Sequence, residues 1–311
     1  MKKFLCMMLA CLLTLSMAAC KNSVDETSDP TQAPTEPVKQ ALSECGAWVV
    51  AKEYELSSSK SRDYRYDSQG NLLGYDDYQA TSEANDLGGK TVTLIPYDKD
   101  GKVITHLSKH MYIYDEAGRL VKYQRNDGKT GSLADNFVFE YNSDGKMVKQ
   151  TKYYMTNFHE EITYTYEGEK LTKSTFRSTV HEAEYTYIYD SEGVPSQVNF
   201  LVEYVKSDNE IKGSLVLLKS VYESDTVRRV TLSASNESTG IEQGKEVLVY
   251  QEHYDEQGKV LRVEIELLQW ELFQIAWMPM RQLGAMNPTN MSGGTAKLVY
   301  QPLSVYLANQ K

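Results

Sequence analysis

The groups in this chain that could do chemistry are five histidines, four cysteines and an excess of carboxylates. His106 and His110 flank an expected turn, and His159 precedes Glu160 and Glu161. Imidazole with carboxylate suits zinc. No HExxH pattern or cysteine pair accompanies these residues, so solvated loop histidines are the simpler reading. The turns Asp98-Lys99-Asp100-Gly101 and Asn142-Ser143-Asp144-Gly145 carry oxygen ligands in the manner of calcium loops. They lack the full ligand series and its distal Glu, and turn formation accounts for them. No GxSxG nucleophile motif is present, and Cys45 has no matching histidine context. Gly88-Gly89 and Gly293-Gly294 have no phosphate-binding pattern around them. The expectation is a protein that is not an enzyme and uses no metal and no cofactor.

One cysteine has a chemical context of another kind. Lys2 and Lys3 precede an apolar run from Phe4 to Met17, and small residues Ala18-Ala19 then lead to Cys20. The run is too short to span a bilayer stably and has the layout of an export signal. Leu15-Ser16-Met17-Ala18-Ala19-Cys20 resembles the lipobox of bacterial lipoproteins. That resemblance implies cleavage after residue 19 and a lipid on Cys20. Residues 1–19 would be a signal peptide, and the mature chain would be anchored in the bacterial cell membrane, facing away from the cytoplasm. Buried acyl chains contribute roughly 0.8 kcal/mol per CH₂, and two or more hold stably. Cys6 and Cys11 would leave with the signal, so Cys45 would be the one remaining thiol and an internal disulfide is excluded.

Losing Lys2 and Lys3 would lower the net charge of −10 by two further units. Such a chain has no electrostatic attraction for nucleic acid or anionic lipid. Residues 20–44 read as a polar tether with Pro30, Pro34 and Pro37 and no apolar period. Residues 45–311, 41% hydrophobic over the whole chain, are expected to form one domain with a non-repeat cap at about 276–311.

The domain is a repeat. Tyr64-Arg65-Tyr66-Asp67-Ser68-Gln69-Gly70 recurs as Tyr112-Ile113-Tyr114-Asp115-Glu116-Ala117-Gly118 and as Phe139-Glu140-Tyr141-Asn142-Ser143-Asp144-Gly145. It recurs again around Asp98 and Gly101, Asp190 and Gly193, and Asp255 and Gly258. Tyr164-Thr165-Tyr166-Glu167-Gly168 is a shortened copy, and Tyr222-Glu223-Ser224-Asp225 a decayed one. Aromatic-x-aromatic is period two, so both rings point to one face of a strand. The Asp or Asn accepts a hydrogen bond from the backbone two residues on and starts a turn. The Gly three residues later supplies the positive φ of a type I turn with a G1 bulge. A Lys, Arg or Asn and then Leu, Val or Met open the returning strand.

This pattern resembles the YD repeat of the RHS family of bacterial surface and toxin-shell proteins, over about residues 54–275. The likeness is greatest to small YD-repeat lipoproteins. It implies an all-β fold, an up-and-down antiparallel meander of β-hairpins with about 16–18 strands. A sheet of that size must curl, split or flatten. Curling on the aromatic face, a second sheet or a dimer partner would each cover the rings. Variable turns near 84–89, 107–109, 126–135, 157–160, 178–181, 207–213 and 235–244 are expected at the end opposite the YD turns, where recognition usually sits. After a bulge near Leu267-Leu268, Thr295 to Leu307 reads as a last strand broken at Pro302 that covers the sheet edge.

The functional expectation is a non-catalytic surface binding or scaffold module with an extracellular protein or glycan ligand. The alternatives are an envelope carrier or chaperone for an apolar ligand and a glycan-active enzyme. Tyr and Trp stack on sugars, but Tyr at period two is expected to be core.

Overall fold

The computed structural model describes residues 39–55, 60–191, 193, 195–205, 209–234, 242–266 and 295–310. Trp270 and Trp277, the bulge expected at Leu267-Leu268, and residues 1–38 with Cys20 lie outside them.

Aromatic and β-branched residues at period two set the strands. The first half of the chain contributes β1 (Trp48–Glu55), β2 (Ser61–Tyr66), β3 (Leu72–Tyr75), β4 (Tyr78–Ala84), β5 (Lys90–Pro96), β6 (Lys109–Tyr114), β7 (Leu120–Asn126), β8 (Leu133–Tyr141) and β9 (Met147–Tyr154). The second half contributes β10 (Asn157–Glu167), β11 (Lys170–Ser178), β12 (His181–Tyr189), β13 (Pro195–Tyr204), β14 (Glu210–Ser224), β15 (Val227–Ala234), β16 (Glu246–Tyr254), β17 (Val260–Glu266) and β18 (Thr295–Pro302). A short helix, α1 (Leu303–Ala308), follows.

Each strand pairs antiparallel with the next, through the whole series. β18 then returns to β1, with Val50 opposite Tyr300 and Glu53 opposite Leu298. The meander is therefore a closed barrel of eighteen strands among the described residues. Closure answers the need to cover the aromatic face and removes both sheet edges. β18 is thus a full stave of the barrel, where a cap over an edge was expected. The chain does break at Pro302, but into α1.

Barrels of this strand number commonly enclose an aqueous channel. Here the middle of the interior is filled by side chains. Tyr64, Tyr112, Phe137, Phe139, Tyr164, Tyr185, Leu215, Leu232, Ile265 and Tyr300 are buried in one continuous core. The outer face is charged and hydrogen-bonded across strands, with Lys173–Glu184 at 2.7 Å, Lys149–Glu161 at 2.8 Å and Lys52–Asp63 at 3.3 Å. That is the reverse of a membrane-spanning barrel, whose apolar band faces outward.

The alternation of strands defines two ends. One carries the turns at Asp67, Asp115, Asn142, Gly168, Asp190, Asp225 and Asp255. Two expectations change here. The turn near 84–89 belongs to this end, because Asn85 Nδ2 donates to Tyr114 O at 2.9 Å. The Asp98 copy lies at the opposite end, in the connection between β5 and β6. The turn expected at 157–160 is displaced to 155–156, where Met155 takes φ 57°, and Asn157 and His159 are already in β10.

The folded body also begins earlier than Cys45. Gln40 N–H donates to Gly258 O at 2.8 Å, and Gln40 Oε1 accepts from Val260 N–H at 3.1 Å. Leu42–Cys45 form a 3-10 turn, with Leu42 and Cys45 packed on the core. These contacts order residues 39–44, which the polar composition had assigned to the tether.

Candidate functional site

The YD turns, all but the Asp98 copy, build one mouth of the barrel. In each of the six full copies the Gly N–H donates to the carbonyl of the Asp or Asn three residues earlier, at 2.9–3.1 Å. Gly70, Gly101, Gly118, Gly145, Gly193 and Gly258 have φ between 75° and 82°. Oδ1 of Asp67, Asp98, Asn142 and Asp255 accepts two backbone N–H groups each, and Asp115 Oδ1 accepts that of Arg119. The side-chain amide of Asn71, with the Asn71 and Gln69 N–H groups, holds the Asp67 carboxyl below the usual carboxylate range. Asn85 makes the same turn without the aromatic pair. Its Oδ1 accepts from Leu87 and Gly89, and Gly88 has φ 75°.

The two aromatic positions of the repeat do different work. The first, as in Tyr64, Tyr112, Phe139, Tyr164 and Tyr187, is buried in mid-barrel. The second forms a ring near the mouth, and its hydroxyls are tied to the preceding strand. Tyr66 donates to Val50 O at 3.0 Å, Tyr141 to Leu120 O at 2.7 Å, Tyr166 to Met147 O at 2.9 Å and Tyr189 to Leu171 O at 2.8 Å. Burial pushes the Tyr114 hydroxyl up to about 12.

In four of the hairpins a cation that opens the returning strand lies over the tyrosine that ends the next strand. Lys90 sits over Tyr114 at 5.8 Å, Arg119 over Tyr141 at 5.1 Å, Lys146 over Tyr166 at 5.8 Å and Lys170 over Tyr189 at 5.2 Å. Each such contact contributes roughly 0.5–1 kcal/mol where exposed and more where dry. A cation one or two residues after the turn Gly thus links these neighbouring hairpins. The apolar residue near the start of a returning strand, Leu72, Leu120, Met147 or Leu171, points into the barrel beneath the tyrosine ring.

Together these residues surround a cavity of about 810 Å³ at the mouth, lined also by Trp48, Val50 and Val92. Sites for small molecules span roughly 300–1,000 Å³ and favour such places as barrel mouths. Residues 39–45 cross the same end of the barrel at Gly258 and Val260, and Lys39 reaches Asp225 O and the Tyr254 ring.

A scan against protein-family models finds no match, and neither does a search of the curated proteins. Among solved structures the chain is similar to a porin-like protein from Bacteroides uniformis, at 13% identity over 65% of this chain and 95% of that one, with a TM-score of 0.39. A porin-like protein from Bacteroides vulgatus aligns at 10% identity over 70% and 92% of the two chains, with a TM-score of 0.28. The Tc holotoxin pore of Photorhabdus luminescens aligns at 15% identity over 66% of this chain and 12% of that one, with a TM-score of 0.32.

Among the described residues, the other groups singled out in the sequence lie apart from one another. His110 is not a loop histidine. It lies in β6, two residues before Tyr112, where Nδ1 meets the Tyr123 hydroxyl at 2.8 Å and the ring stands against Tyr78. His106 stays in the exposed connection between β5 and β6, and His159 is an exposed strand residue 4.0 Å from Glu160. No group of three metal-ligating side chains occurs among the described residues. Burial pushes the Cys45 thiol up, away from the reactive thiolate. Of the two long loops expected to carry recognition, 127–132 is braced by Asp127, whose Oδ1 accepts from Lys129 and Thr130, and 235–241 lies outside the described residues. Sequence reasoning missed the buried Glu53 and Glu252, and it gave the recurrent cation no role, although Gly-Lys and Gly-Arg steps at 89–90, 118–119 and 145–146 carry that signal.

Proposed function

We propose that this chain is a non-catalytic binding protein of the bacterial cell envelope, held by lipid on Cys20, and that its ligand occupies the mouth of the barrel. The observation that carries the reading is the cavity of about 810 Å³ walled by the second tyrosines of the repeat. A charged outer face and a core packed with rings make the barrel a container standing in water, which disfavours a pore. The carrier reading gains over loop-borne recognition, because the cavity opens at the YD-turn end, away from the variable loops. Side chains fill mid-barrel, and the volume left open at the mouth is what favours the carrier reading over a scaffold with a wholly filled interior. The likeness to YD-repeat lipoproteins of the RHS kind remains part of the proposal, resting on the repeated turn and its flanking tyrosines.

N-Phenyl-1-naphthylamine, a neutral dye that brightens in apolar sites, is expected to bind the wild-type mature chain. Leu120→Trp puts a bulky ring into the cavity and should remove most of the signal, at a stability cost of about 1–3 kcal/mol for overpacking. A folded wild-type protein that leaves the dye dark would rule out the cavity as a ligand site. For the anchor, a palmitate analogue fed to cells should label wild type and not Cys20→Ser. Equal labelling of both would remove the lipid from the reading.

A further inference from the structure

We propose that the ligand is an amphiphile with one anionic head group, a carboxylate or phosphate, on an apolar chain. This inference rests on the cavity being a ligand site and adds the chemistry that the site selects. The cavity is lined by three cations, Lys90, Arg119 and Lys146, against one carboxylate, Glu169, in a chain whose net charge is −10. Asp115 also pairs with Arg119, and Asp67 lies near Lys90 behind Asn71, so the local charge is close to balanced; what the cavity presents are the cations themselves, as donors above apolar walls, with their carboxylate partners toward water.

The cations are held in place before any ligand arrives. Each stands over a tyrosine ring, and each is steadied by a neighbour. Lys90 Nζ is bonded to Asn71 Oδ1, Arg119 to Asp115 at 2.7 Å, and Lys146 to Gly168 O at 2.5 Å and Glu169 at 2.8 Å. Glu169 is 92% exposed, so its hold on Lys146 is screened by water and gives way to a better-placed anion. Binding therefore orders little that is not already ordered.

The walls select the rest of the ligand. The hydroxyls of Tyr66, Tyr141, Tyr166 and Tyr189 are spent as donors to backbone carbonyls. What these rings and Trp48, Val92 and Leu120 present is carbon, while Asn71, Glu169 and the three cations supply the polar part of the lining. That division into an apolar wall and a charged rim suits an amphiphile better than a sugar, whose hydroxyls are polar all round.

The test is displacement of N-phenyl-1-naphthylamine from the mature chain by dodecanoate, dodecyl phosphate and dodecan-1-ol, which share one chain length. At least one of the two anions is expected to displace the dye at a concentration tenfold or more below that of the alcohol, and the better of the two identifies the head group. Lys90→Gln with Lys146→Gln should bring that ratio close to one, and Lys90→Arg with Lys146→Arg should preserve it. If the alcohol matches both anions in the wild type, the anionic head is wrong while the cavity reading stands. If the dye itself does not bind, both fall together.

Discussion

Arg228→Met is expected to destabilise the protein by about 3–5 kcal/mol, the usual cost of stranding one member of a buried ion pair. Glu252 points into the barrel from β16 and is 2% exposed. Its carboxylate meets Arg228 Nε at 3.3 Å and the Tyr254 hydroxyl. Burial works against the charge of Arg228, but Glu252 and the neighbouring tyrosine hydroxyls outweigh it and hold the guanidinium above its ordinary value. Removing the cation leaves the buried Glu252 side chain opposite Val263, with the Tyr254 hydroxyl as its remaining partner. The same change at Arg119 is a control: it loses a pair with Asp115 four residues away and the contact with the Tyr141 ring, each about 1 kcal/mol or less, so it should cost under about 2 kcal/mol. Adding Glu252→Leu to Arg228→Met should recover most of the loss, because a buried pair replaced by apolar groups is commonly neutral. The Tyr254 hydroxyl would then lose its acceptor, at about 1 kcal/mol. Urea melts of the four chains decide the matter. If Arg228→Met costs no more than Arg119→Met, Glu252 is not the buried, paired carboxylate described above.

How much of this could be read in the sequence follows from the range of the interactions involved. The hairpins were legible because their cause is local: two rings at period two, an Asx residue and a glycine suffice to set strand, turn and return. The copy at Asn85 escaped notice because its strand lacks the aromatic pair, although Asn85 and Gly88 carry the turn. His110 was misread by attention to its neighbours in the loop, when His110, Tyr112 and Tyr114 are in phase on one strand face. Closure was left open because it depends on β1 and β18, which lie outside the repeat and are separated by most of the chain. The cavity was illegible for a related reason. No hairpin contains it, and it exists only where one residue from each of many turns meets the tyrosine of the next. The cation over each ring joins residues about twenty positions apart, such as Lys146 and Tyr166, so neither copy of the motif shows the contact by itself.

Tyr306→Ala is expected to have an effect of similar size, about 3–5 kcal/mol for deleting a buried aromatic ring. Among the described residues β1 and β2 pair through Lys52–Asp63, Glu53–Arg62 and Tyr54–Ser61 and then diverge toward the mouth. The β1–β2 ladder ends at Lys52–Asp63, and toward the mouth α1 packs against both strands. Leu303 N–H donates to Ala47 O at 2.8 Å, which fixes the helix beneath β1. Tyr306 is 4% exposed, and its hydroxyl donates to Tyr64 O at 2.7 Å. Its ring meets Tyr66 edge-on, with centroids 5.4 Å apart. Tyr66 in turn bridges to Val50 O, so the two tyrosines stitch the seam from both sides. Tyr306→Phe keeps the ring and loses the hydrogen bond, and should cost only about 1 kcal/mol. The two substitutions also differ in where they act. With Ala, amide hydrogen exchange should rise at Tyr64 and Tyr66 before the rest of the sheet, because a seam opens locally at less cost than the barrel unfolds. With Phe, exchange there should stay close to wild type. Equal stability loss for Phe and Ala, with no faster exchange at Tyr64, would mean that α1 rests on the barrel without closing it.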